Sequence, residues 1–101
     1  GNQIMSVETR LNLDDIVELG RQFRLQWEQA QQAYVLLYPE GMVKLSQSAG
    51  EILKRIDGKL PIADVVENLE QAFPGANLQQ DVLKFLEVAY ERGWIHPKQA
   101  S

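Results

Sequence analysis

AYVLLYPEGMVKLSQSAGEILKRIDG, residues 33–58, is where this chain changes its period, and that change decides the fold. Residues 33–38 are β-branched, aromatic and apolar on both faces, which suits a strand covered on both sides. Pro39, Glu40 and Gly41 supply a tight turn, and Met42, Val43, Lys44, Leu45 and Ser46 form a short strand beyond it. The apolar residues then move to helical spacing, with Ile52, Leu53 and Ile56 before a stop at Gly58. Ser48 and Glu51, three residues apart, read as the capping box of that helix.

Upstream, Phe23, Leu25 and Trp27 alternate with Arg24, Gln26 and Glu28, the two-residue period of a half-buried strand. The polar stretch 29–32 turns the chain, so three strands make an antiparallel meander with residues 42–46 at its edge. Residues 1–12 are polar and aperiodic and read as a mobile arm. Residues 13–20 read as one or two helical turns, with Asp14 and Asp15 at the positive N-terminal end and Gly20 as the stop. Downstream, Ile62, Val65, Val66, Leu69 and Phe73 form one helical stripe. Asn77 stands ready to cap a third helix bearing Leu78, Val82, Phe85, Leu86, Ala89 and Tyr90, and Gly93 ends it. Trp94 and Ile95 fold back as a lid. The expected architecture is α+β and winged helix-turn-helix-like, a three-stranded antiparallel sheet followed by a three-helix bundle. Its limits are an N-terminal arm at 1–20, a folded domain at 21–96 and a tail at 97–101.

The inventory removes most chemistry. At 101 residues, 45% hydrophobic and 24% charged, the chain is of single-domain size and average globular composition. With no cysteine there is no disulfide, thiolate metal site or cysteine nucleophile. One histidine, His96, builds neither a triad nor a metal cluster. The seven glycines are dispersed, so no phosphate loop forms. Asp14–Asp15, Glu67–Glu70 and Glu87–Glu91 read as solvated helix faces rather than acid/base pairs. The expectation is a protein without enzyme activity, cofactor or metal. The longest apolar run, residues 33–38, is far short of the roughly 20 residues of a membrane span, and no signal-like core is legible at the start. A cytoplasmic location, away from membranes, is expected.

A small sheet with three helices also suits a winged-helix DNA-binding regulator, the alternative reading. Charge opposes it. Residues 62–73 carry Asp64, Glu67 and Glu70 with no base, and residues 78–92 carry two bases against three acids, in a chain of formal net charge −4. Counterion release, the main source of affinity for nucleic acid, is missing. The third helix points elsewhere. At about 100° per residue its apolar residues span roughly 180°, where a core-facing helix needs about 100°. Either the helix is central, or one margin, with Leu83 and Tyr90 or with Val88 on the opposite side, lines a partner's groove. The edge strand at 42–46, whether blunted by Lys44 or open, is a template for an added peptide strand.

RLQWE at 24–28, VLLYPEGMVKLSQSAGEILKRIDG at 35–58, DVLKFL at 81–86 and RGWI at 92–95 closely resemble the pyrroloquinoline quinone biosynthesis protein D family, PqqD. The resemblance runs from Arg24 to Ile95. Ser46 stands where the family pattern leads one to expect asparagine, and serine also caps a helix. The resemblance implies a non-catalytic peptide chaperone with a winged-helix-like fold, the prototype of a precursor-peptide recognition element. It implies binding of the ribosomal precursor peptide of the quinone cofactor, and presentation to a radical S-adenosylmethionine enzyme that joins a glutamate to a tyrosine. The peptide is expected to add as a strand beside Met42, Val43, Lys44, Leu45 and Ser46, against a helical wall of Asp81, Leu83, Lys84 and Phe85. An open edge and the run at 33–38 also allow a homodimer by strand exchange, which would hide that site.

Overall fold

The structure is a computed structural model and describes residues 10–98; residues 1–9 of the expected arm and 99–101 of the expected tail lie outside the described residues. The elements run β1 (Val17–Leu19), β2 (Arg24–Glu28), β3 (Ala33–Tyr38), β4 (Gly41–Lys44), α1 (Gln47–Lys54), α2 (Ile62–Ala72), α3 (Gln79–Glu91) and β5 (Ile95–Pro97). The class is α+β, as the periodicity requires.

β2, β3 and β4 form the expected antiparallel meander with β3 in the middle. β3 is paired on both sides, so the run at 33–38 offers no free edge; among the described residues β2 and β4 each have one unpaired edge. Leu36 is fully buried on the side that faces the helices, and Leu25, Tyr34 and Val43 pack against the same core. Helix α1 lies close over β3. A Cβ at Gly50 would stand 3.0 Å from the Tyr34 ring, so any larger residue there would require the ring or the helix to give by a few tenths of an ångström.

Several local expectations are corrected. The cap of α1 is Ser46, whose hydroxyl accepts the Ala49 N–H at 3.2 Å, while Ser48 lies inside the helix and Glu51 pairs with Arg55 at 2.8 Å. The strand placed at 42–46 runs from Gly41 to Lys44, because Ser46 has already turned to capping. Asn77 does not cap α3. Leu78 holds that position, and Glu70 of α2 accepts its N–H at 2.9 Å.

The largest correction concerns residues 10–20. They are neither arm nor helix. β1 pairs antiparallel with β5, from Val17 opposite Pro97 to Leu19 opposite Ile95, so a second, two-stranded sheet joins the two ends of the described chain. Leu11 and Val17 are each 1% exposed and belong to the core. Pro61 gives α2 no side-chain cap; the first two N–H groups of α2, at Ile62 and Ala63, donate instead to the Asp15 and Leu13 carbonyls, both at 2.9 Å. These are helix-end donors that need partners, and the segment supplies them. The folded unit thus extends upstream of residue 21. It also extends past residue 96, since Pro97 is in β5 and Lys98 donates its N–H to Ile16 at 2.7 Å.

Candidate peptide groove

The pairing register fixes what the β4 edge presents. Tyr38 pairs with Gly41, Leu36 with Val43, and the Leu45 N–H donates to the Tyr34 carbonyl at 3.1 Å. Inward and outward N–H groups alternate in an antiparallel ladder. Val43 and Leu45 therefore point their N–H groups at β3, and Met42 and Lys44 point theirs away from the sheet. The side chains alternate too. Val43 and Leu45 turn toward the core, while Met42 and Lys44 are exposed.

Past Lys44 the chain enters α1, and at its first turn a cleft of about 450 Å³ opens between the three helices. Gln47, Ser48, Glu51 and Ile52 come from α1, Leu69 and Phe73 from the end of α2, and Leu78, Asp81, Val82 and Phe85 from the start of α3. Leu69, Ile52 and Val82 are buried core residues that form its floor; Phe73, 42% exposed, stands at its rim. The wall is apolar and the lip polar, the usual make-up of a ligand site. Among the described residues no group of three or more histidines or carboxylates is placed to hold a metal ion, and no helix is long and apolar enough to cross a membrane.

The structure divides the expected site residues. Met42, Val43, Lys44, Leu45 and Ser46 form one run, with Met42 and Lys44 on the open side and Ser46 committed to the α1 cap. On α3, Asp81 and Phe85 line the cleft and Leu83 and Lys84 do not. Leu83 sits about 160° around the helix from Phe85, packed against the core. Its margin carries Glu87 and Tyr90, and the upstream chain covers it: the Leu11 N–H donates to Glu87 at 2.7 Å, and the Arg10 guanidinium lies 4.6 Å from the Tyr90 ring. Lys84 is exposed beyond the cleft's outer lip. The sequence reading missed Ile52, Leu69 and Phe73, because a stripe residue at a helix end looks the same whether it meets core or cleft.

Against known proteins, the profile of the family described as Coenzyme PQQ synthesis protein D (PqqD) matches residues 33–95. A protein of Azotobacter vinelandii named PqqA binding protein is 56% identical over 89 residues, 87% of this chain and 95% of that one. Its namesake in Acinetobacter baylyi is 57% identical over 77 residues, 75% of this chain and 78% of that one. Among solved structures, the fold matches the PqqD truncation of Methylobacterium extorquens PqqCD, with a TM-score of 0.72, 25% identity, and coverage of 87% of this chain and 96% of that one. That structure is described as a functional, stand-alone recognition element for ribosomally synthesized and post-translationally modified peptides. An α+β fold of this topology, with an open edge beside an apolar cleft, has the form of a small binding module. This chain belongs to the PqqD family.

Proposed function

We propose that this chain is a non-catalytic binding protein for PqqA, the ribosomal precursor peptide in pyrroloquinoline quinone biosynthesis, and that it takes the peptide as an added strand on β4. The observation that carries the reading is the edge itself. Met42 and Lys44 aim two main-chain N–H groups outward, and the strand runs directly into an apolar cleft of the size that accepts side chains. The relatives named PqqA binding protein and the recognition-element description of the solved neighbour support it. The three-stranded sheet leading into three helices is of the winged-helix-like kind, used here for a peptide in place of nucleic acid. Presentation of the bound peptide to the radical S-adenosylmethionine enzyme belongs to the same proposal, as does a cytoplasmic location. A homodimer through the β4 edge would compete with the peptide.

Titration calorimetry with synthetic PqqA tests this, with amide shifts of the labelled protein as the site readout. Heat of binding and shifts centred on Met42 and Lys44 are expected, and the loaded protein is expected to bind the radical enzyme. No heat with tens of micromolar peptide overturns the peptide reading. A shift of random duplex DNA at low salt would favour the DNA-binding alternative instead.

A further inference from the structure

We infer that the groove reads a two-residue pattern in its peptide: a large uncharged apolar residue seated in the cleft between the helices, and directly beside it an acidic residue held against Lys44. This rests on strand addition to β4. In an added antiparallel strand, the residue opposite Lys44 exchanges both backbone hydrogen bonds with it and shares its face. That face is the one turned away from the helices, where Lys44 is exposed and has no carboxylate within 4 Å among the described residues. Opposite charges across neighbouring strands attract, and like charges repel.

The next residue of the peptide, opposite Leu45, points to the other face by the two-residue period of a strand. Leu45 itself turns toward the core there. Gln47 and Ser48, which open the cleft, follow Lys44 by three and four residues, within about 10–13 Å at the rise of extended chain. A side chain leaving the added strand on this face is directed to the side of the cleft, and the inferred anchor is the one that reaches Phe85, Phe73 and Ile52. Asp81 lines the same cleft, while Glu51 beside it is paired with Arg55, so Asp81 repels a carboxylate there and an apolar group is admitted. The two requirements fall on adjacent residues because the edge alternates faces.

The test uses the full chain and synthetic PqqA. In the peptide, each acidic residue is exchanged for lysine in turn, and each large apolar residue for alanine. One acidic position is expected to lose about fivefold in affinity, and Lys44→Glu is expected to restore it. An apolar neighbour of that position is expected to lose tenfold or more, as anchors in desolvated pockets do. Ser48→Trp, which fills the cleft from an exposed position, should weaken wild-type peptide similarly and make the anchor's alanine exchange silent. Asp81→Lys is the companion variant should the indole disturb α1; it should tolerate an acidic residue at the anchor position that the native protein rejects. If the native protein binds PqqA but no acidic exchange is rescued by Lys44→Glu, or the critical acidic and apolar positions are not adjacent, the pattern is wrong and strand addition stands. If PqqA does not bind the native protein at all, the function proposed above fails first.

Discussion

The two margins of α3 make an instructive pair. Both are apolar, and together they give the helix its wide hydrophobic arc. Along Leu83, Glu87 and Tyr90, the chain covers itself: Leu11 is buried, its N–H is held by Glu87, and Arg10 lies over the Tyr90 ring and 3.7 Å from Glu87. Along Asp81 and Phe85, none of the described upstream residues lines the cleft. One arc thus has two margins, one closed by the described upstream residues and one that lines a cleft among the described residues. An apolar arc wider than the core requires does not by itself say which margin is spare.

That contrast makes separable predictions. Leu11→Ala, in the closed seam, should destabilise the protein by about 2–5 kcal/mol through lost burial and the cavity left behind. Peptide affinity of the fraction that stays folded should be unchanged; denaturant melts and calorimetry measure the two, and a large affinity loss would show the seams to be coupled. The β4 strand repeats the contrast at the backbone. Val43→Pro removes an inward N–H and strands the Leu36 carbonyl, a cost of about 2–4 kcal/mol from the lost bond and the orphaned acceptor. Lys44→Pro removes an outward N–H, and proline is tolerated on edge strands. It should fold nearly as the native chain does and yet bind PqqA about tenfold or more weakly, about 1.4 kcal/mol. The reverse order, Lys44→Pro destabilising and Val43→Pro tolerated, would show that the register runs the other way.

Smaller effects refine the comparison. Glu87→Gln keeps an acceptor for the Leu11 N–H but loses its charge and the partner of Arg10, a loss of about 1 kcal/mol or less; urea midpoints read it, and peptide affinity should not follow. The smallest effect lies in the turn before α2. The Asp57 carboxylate accepts the Lys59 and Leu60 N–H groups at 2.9 and 3.0 Å, and these bonds hold its pKa below the ordinary 3.8. A carboxyl depressed in the folded state stabilises fully above the unfolded value and loses that contribution as pH falls through the folded one. Below about pH 4 the native protein should lose slightly more stability than Asp57→Asn, whose amide oxygen still accepts without titrating. Melts at pH 7 and pH 3 give the difference; identical pH slopes would mean the turn contributes nothing.

How much of this was legible depends on where each residue finds its partner. The alternation of Phe23, Leu25 and Trp27 and the stripe from Ile62 to Phe73 are local patterns, repeated often enough to be read without the fold. LDDIVELG misleads because it is short and its acids imitate a helix start, while the carbonyls of Leu13 and Asp15 serve another helix. The three-residue β1 is too brief to show a period, and its partner lies at the far end of the chain. Caps were legible only in part: Ser46 and Ser48 are both good cap residues, and the end of β4 selects the first.

From its sequence alone the chain determined the class of its fold, the order of its meander and helices, the absence of cysteine chemistry, and the family strings that the comparisons confirm. Tertiary structure decided the rest. It selected which of two apolar margins stays open, which of two adjacent N–H groups faces outward, and that the upstream segment is a working part of the core. The physical reason is that periodicity records how much of a residue is buried, whereas a site is defined by what does the burying, and that partner is brought close only by the fold.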